Sequence, residues 1–251
     1  MIYLVKKIRL LAFLTGRIPR HGWRQWARGL RERQLGYTAM ELAQVLPPEA
    51  TVIVDVGGHH GDVAAALDFL HAPRRLWIVE PNPAQTAQLK VRFSGQPHIT
   101  VIPQCLGNRT GDVSFHVHAF DAASSLYTCL PGHLEKFGFS GQSHQITVSM
   151  TTLSLLLDRA SDIRVIDLLK LDCQGGELDV LRGAGDRLRD VRYIYCEVAF
   201  DPIYAEAPLF GEVHQFLIQS DFALVSLDGF AGAGDSIQWG DALYRNNRPA
   251  T

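Results

Sequence analysis

The stretch VIVDVGGHHG, Val52 to Gly61, constrains this chain more than any other. A β-branched run, Val52 to Val54, leads into Asp55; a glycine-rich turn follows, and DVAAALDFL then continues with helical spacing. An apolar strand, a tight turn and a helix form a unit in which backbone approaches a ligand closely and a helix N-terminus faces it. The unit reads as a nucleotide-type cradle.

The same grammar recurs downstream. RRLWIVE, Arg74 to Glu80, is a second strand ending in an acid, and PNPAQTAQLKVRF is a helix with proline in its first turn. In such β-α-β units the acid closing the second strand accepts hydrogen bonds from both ribose hydroxyls of a nucleoside-containing cofactor, a role that falls to Glu80. ITVIPQCLG reads as a third strand and turn, and the alternation of Val113, Phe115 and Val117 after Gly111 as a strand or hairpin arm. Residues 119–145, rich in Ser, Gly and His, are expected to form a long loop or lid. A short strand and a helix near Thr152 to Ala160 come next. IDLLKLDCQGGELDVLRGA then repeats strand, turn (Asp172 to Gly176) and helix, and RYIYCEVAF is a fifth strand with Glu197 near its end. The helix EVHQFLIQS and strands at FALVSL and DALYR complete the walk.

Strands alternating with helices favour a mostly parallel, doubly wound α/β sheet, whose ligands sit beyond the carboxyl ends of the strands. Asp55, Glu80, Cys105, Asp172 and Glu197 all fall at expected strand ends and should line one edge.

The glycine turn differs from the G-x-G-x-x-G dinucleotide fingerprint, and no Walker lysine motif follows it. A D-x-G-x-x-x-G turn suits a cofactor with an amino-acid tail, its amides binding the carboxylate while acids attract the ammonium or sulfonium. S-adenosylmethionine (SAM) fits that description; a NAD-type oxidoreductase stays open on this evidence.

Charge and cysteine content narrow the partners. The net charge of −2 carries no signature of a nucleic-acid binder. Residues 1–35, however, hold nine Lys or Arg against one acid. Leu4, Ile8, Leu11 and Phe13 share helical spacing with Lys6, Lys7 and Arg9 between them. This basic helical extension, residues 1–48, is expected to pack on the domain or on a second copy in a homodimer, or to lie on an anionic membrane surface, with Trp23 and Trp26 suited to that interface. LLAFL is far short of the roughly 20 apolar residues a membrane span needs, and GRIPRHGWR lacks a small-residue cleavage pattern, so the segment is expected to stay in a cytoplasmic protein, peripheral at the inner membrane face if it meets lipid. The four cysteines show no zinc or disulfide spacing and read as reduced, small hydrophobes. His116 and His118 share a strand face without a carboxylate at fixed spacing, so no metal is expected.

LLKLDCQGGELDVLRGA resembles the signature of FkbM-type SAM-dependent methyltransferases, which runs like lLKiDvEGaElevLkGa. VDVGGHHG, VEPNP, SSL at Ser124 to Leu126, the TTL turn, YIYCEV and GDALY follow in the family's order over residues 50–245. The resemblance implies a Rossmann-like class I methyltransferase fold over residues 49–251, with an antiparallel strand near the C-terminus. Carried over by position, it implies SAM binding by Asp55, Gly57, Gly58, His59 and Gly61, with Glu80, Pro81 and Asn82 at the ribose, Leu106 near the adenine and Asp172 facing the transfer centre. The expected reaction is O-methylation of a hydroxyl on a sugar, glycan or secondary metabolite. Asp172 is the first candidate base, with Glu197 and His59 or His60 beside it. His59 stands where the family has Asn, and Gln174 replaces the customary Glu. These departures motivate a rival: a SAM-binding protein without catalytic activity.

Overall fold

The structure is a computed structural model that describes Leu42, Leu46 and residues 52–133, 142–160, 162–233 and 236–248. The basic extension therefore lies outside the described residues, apart from Leu42 and Leu46, and so does part of the expected lid. No helix among the described residues is long and apolar enough to cross a membrane.

Strand β1 (Val52–Val56) leads to helix α1 (Asp62–His71), β2 (Arg75–Val79), α2 (Pro83–Arg92) and β3 (Ile99–Ile102). Short β4 (Cys105–Leu106), β5 (Gly111–His118) and β6 (Ser143–Thr151) follow, then α3 (Leu153–Arg159), β7 (Ile166–Leu171), α4 (Glu177–Ala184) and β8 (Val191–Ala199). Helix α5 (Phe210–Gln219) and the long strands β9 (Phe222–Ala233) and β10 (Ser236–Asn246) close the fold. The main sheet has seven strands in the order β3-β2-β1-β7-β8-β10-β9. Its first five are parallel, while β10 runs antiparallel to both neighbours.

The period of two along the central strands sorts their side chains between two helical layers. Val52, Val54, Val56, Leu169 and Leu171 pack with Leu153, Leu157, Leu181 and Leu217 of α3, α4 and α5. Ile53 and Leu168 pack with Leu67 and Leu89 of α1 and α2. Asn82 caps α2 by accepting from the Ala84 amide at 3.0 Å, with Pro83 in the first turn, where its missing N–H is harmless.

One expectation needs correcting. Cys105 does not end a strand of the main sheet: β4, β6 and β5 form a separate three-stranded sheet with its own apolar cluster of Val113, Phe115, Val148 and Met150. The proline and glutamine after Ile102 break the ladder, so the run read as one strand becomes two, in different sheets. Cys105, Leu106 and Phe115 of this small sheet line the cavity described below.

Candidate functional site

From β1 the chain proceeds to β2 on one side, while β7 and β8 lie on the other, so the sheet order reverses between β1 and β7. Crevices of doubly wound sheets open at this switch point. A cavity of about 510 Å³ lies there, within the roughly 300–1,000 Å³ typical of small-molecule sites. Gly57, Gly58, His59, Glu80, Asp172 and Glu197 all line it, as do Pro81 and Leu106.

Glu80 is 5% exposed at the end of β2. Its Oε2 accepts from the His59 amide at 3.0 Å and its Oε1 from the Asn82 amide at 2.8 Å. Each oxygen keeps a lone pair for a ligand. Burial pushes this carboxyl up to about 7, against the two amides that favour its ionised form.

The glycine turn works differently from its sequence reading. The Gly57 and Gly58 amides both donate to Val79 O, at 3.0 and 3.2 Å, and the Gly61 amide donates to Gly58 O at 2.7 Å. With the His59 amide on Glu80, these donors are engaged inside the protein and do not serve a ligand carboxylate. Gly57, at φ +77°, is required for a contact: a Cβ there would stand 1.8 Å from Asp172 O. Gly61 lies away from the cavity, against Phe93 and Leu89 of the α2 layer, and Asn82 serves as a helix cap.

Asp55 is likewise not a wall residue. It is fully buried and in register with Lys170 on the neighbouring parallel strand, so both side chains project from the same face of the sheet. Lys170 Nζ lies 2.9 Å from Asp55 Oδ1, 3.3 Å from Asp172 Oδ2 and 3.3 Å from Gly57 O. Burial alone would discharge this ammonium, yet the two carboxylates outweigh it and hold Lys170 above its ordinary value. The ion pair ties β1 to β7 where the two turns begin, with Lys170 at the cavity wall and Asp55 behind it.

Asp172, with its side chain 40% exposed, meets the cavity directly. Gln174 donates from Nε2 to Asp172 Oδ1 at 3.0 Å and to Glu197 Oε2 at 2.8 Å, while its Oε1 accepts from the Tyr204 hydroxyl at 2.8 Å. A glutamate could make neither donation. Gln174 is thus a neutral bridge between two acids, at φ +56°. Glu197 also faces Asp241 across the β8–β10 ladder. Burial, then Asp172, Glu177 and Asp241, hold its carboxyl well above the usual range. Burial likewise raises Asp241 to about 7, with Asp172 adding to the rise.

Several residues of the site had been missed. Lys170 left a trace, a cation inside the apolar run IDLLKL. Tyr204, Gln85 and Asp121 left none, because irregular segments and a helix face bring them in. Asp121, in the 3-10 turn Asp121–Ala123, lies 3.0 Å from His59 Nε2 and 3.4 Å from His60 Nε2 and accepts from Gln85 Nε2 at 3.0 Å. His59 and His60, although adjacent in the chain, both turn their rings to the cavity wall, their centroids 3.8 Å apart. Ser124 and Ser125 hold turns, Ser124 Oγ accepting from the His118 amide and Ser125 Oγ donating to Gln174 O. None of the four cysteines forms a disulfide among the described residues, and burial pushes the thiols of Cys105, Cys173 and Cys196 up, which disfavours their reactive thiolate form.

The family model for the methyltransferase FkbM domain matches residues 55–224. The 2-O-methyltransferase NoeI of Sinorhizobium fredii (strain NBRC 101917 / NGR234) is 24% identical over 189 residues, covering 72% of this chain and 77% of that protein. Methyltransferase 1 of Beauveria bassiana (strain ARSEF 2860) is 28% identical over 163 residues, covering 57% and 62% respectively. Among solved structures, magnesium protoporphyrin IX methyltransferase from Synechocystis PCC 6803 with bound SAM superposes with a TM-score of 0.50 at 10% identity, over 96% of this chain and 91% of that one. That likeness concerns the fold, which is the Rossmann-like class I methyltransferase fold with one antiparallel strand near the C-terminus.

Proposed function

This chain belongs to the FkbM methyltransferase family, and on that premise we propose that it is a SAM-dependent O-methyltransferase acting on a hydroxyl of a sugar, glycan or secondary metabolite. The observation that carries the reading is Glu80: a buried carboxylate at the cavity wall, both oxygens fixed by amides and both retaining acceptor capacity. The rest of the donor set fits the same cofactor. Pro81, Leu106, Phe115 and Leu126 offer apolar surface for a flat base. Asp172 gives the cavity wall a negative charge that favours a cationic centre, and the Glu197 carboxyl beside it offers a further hydrogen-bonding group.

SAM, when bound, supplies a sulfonium-borne methyl group for in-line displacement. The protein's part is alignment and proton removal. Asp172, the more exposed acid, accepts the proton of the attacking hydroxyl, and Lys170 with Gln174 fixes its two oxygens. The similarity to the 2-O-methyltransferase NoeI supports a hydroxyl acceptor.

The test is turnover. Incubation with SAM and a panel of hydroxylated sugars should release S-adenosylhomocysteine (SAH) together with an O-methylated product, and Asp172→Asn should lower the rate by about 100-fold or more at similar SAH affinity. Tight SAH binding without product over a broad panel would favour a binding protein. Stabilisation by nicotinamide cofactors in place of SAH would favour an oxidoreductase.

A further inference from the structure

We propose that His59, His60 and Asp121 form a site for one divalent transition-metal ion of the zinc type, set in the wall of the cavity. Three donors converge there: His59 Nε2 lies 3.0 Å from Asp121 Oδ1, His60 Nε2 lies 3.4 Å from Asp121 Oδ2, and one donor atom from each residue lies within 4.8 Å of the others. Metal–ligand bonds of about 2.0–2.2 Å place neighbouring donors roughly 3.0–3.5 Å apart in tetrahedral or octahedral geometry. The two histidine–aspartate separations, each to a different oxygen of Asp121, fall in that range, and the full set of donors lies within 4.8 Å.

The backbone explains how two consecutive histidines reach one point. His59 sits at φ +47°, in the left-handed region that histidine tolerates better than most side chains. The kink turns both rings to one side. The donors are held from behind: Glu80 accepts from the His59 amide, Arg92 donates to the His60 carbonyl, and Gln85 donates to Asp121 Oδ2. Such supporting bonds orient ligands and tune affinity in known metal sites. His59 Nε2 is sealed from solvent against Asp121.

Two imidazoles and a carboxylate suit zinc, cobalt, nickel, manganese or ferrous iron better than calcium or magnesium, which take all-oxygen shells. Three protein ligands leave positions open. Because all three residues line the cavity, those positions face its contents and take a water or hydroxyl oxygen. An ion here also ties the turn after β1 to the 3-10 turn Asp121–Ala123. Ion binding stands independently of the methyltransferase reading; use of the open position by an acceptor hydroxyl rests on it.

The experiment titrates the chelator-stripped full chain with Zn²⁺ by calorimetry and with Co²⁺ by visible absorption, alongside thermal melts. Wild type should bind one ion per chain at this site and melt higher with Zn²⁺. His60→Ala and Asp121→Ala should each weaken binding at least about tenfold and lose the thermal shift, while His116→Ala, outside the site, keeps both. Melts without metal show whether each variant is folded, and only folded variants enter the comparison. Absence of binding by wild type, or binding unchanged in both variants, overturns the proposal. SAH titrated in parallel separates the two readings: SAH binding without metal binding sinks the ion site alone, and metal binding without SAH binding sinks the cofactor assignment alone.

Discussion

The turn after β1 and the turn after β7 share a grammar of buried strand, glycine-rich turn and helix, yet they are chemically opposite. In the first, Gly57 to Gly61, four amides are engaged by Val79, Glu80 and Gly58, and the turn contributes shape and two imidazoles. In the second, Asp172 to Gly176, the side chains act: two acids bridged by the Gln174 amide, with Lys170 beside Asp172. Local pattern sets backbone geometry in both, whereas chemistry depends on what register and packing bring against each turn. Both turns hold a non-glycine residue in the left-handed region, His59 and Gln174. Backbone strain of this kind persists where surrounding contacts over-determine it.

The contact between the turns is the sharpest place to break the comparison. Gly57→Ala would drive a Cβ into Asp172 O at a backbone angle alanine resists, and should lower Tm by about 10 °C or more, read by a thermal melt. A fall of only a degree or two would mean that the turns slide independently.

Gln174→Glu converts the neutral bridge into a third acid between Asp172 and Glu197. At pH 8 it should cost about 2–3 kcal/mol, a drop of roughly 5–10 °C in Tm, because like charges meet and two donated hydrogen bonds vanish. Protonation restores a donor, so the deficit should shrink at pH 5.5. A deficit equal at both pH values would show that charge is not the cause.

The smallest effect concerns the acid row behind the second turn. Asp241 has a folded-state value of about 7 against an ordinary 3.8, so the native state holds its proton more tightly than the unfolded chain. Its contribution is therefore full below about pH 4 and is lost as pH rises through about 7. Asp241→Asn should raise Tm at pH 8 by about 2–4 °C and leave Tm at pH 4 nearly unchanged, flattening the profile of melts. A variant less stable at pH 8 would place a needed negative charge there.

The first turn was legible in its elements and misleading in its roles. Val52 to Val54 and DVAAALDFL gave strand and helix, and Glu80 was placed at the cavity because strand ends carry ligands. Asp55, expected at the same edge, does not line the cavity, since alternation along β1 sends it toward the α1 and α2 layer and into register with Lys170. Residues near each other along the chain carry their own signal. Asp121 and Tyr204 reach the site through irregular segments, and the split of ITVIPQCL between two sheets depends on β6, far along the chain, so no local period announced either.

The proposed cofactor site centres on Glu80. Calorimetric titration of SAH into wild type and Glu80→Ala tests that directly. One site per chain is expected for wild type, with affinity about 100-fold weaker in the variant, roughly the 3 kcal/mol carried by two hydrogen bonds to a buried carboxylate, and a ligand-free Tm lower by about 2–5 °C because the His59 and Asn82 amides lose their acceptor. Equal affinity for the two proteins, or no binding of SAH to wild type, would contradict it.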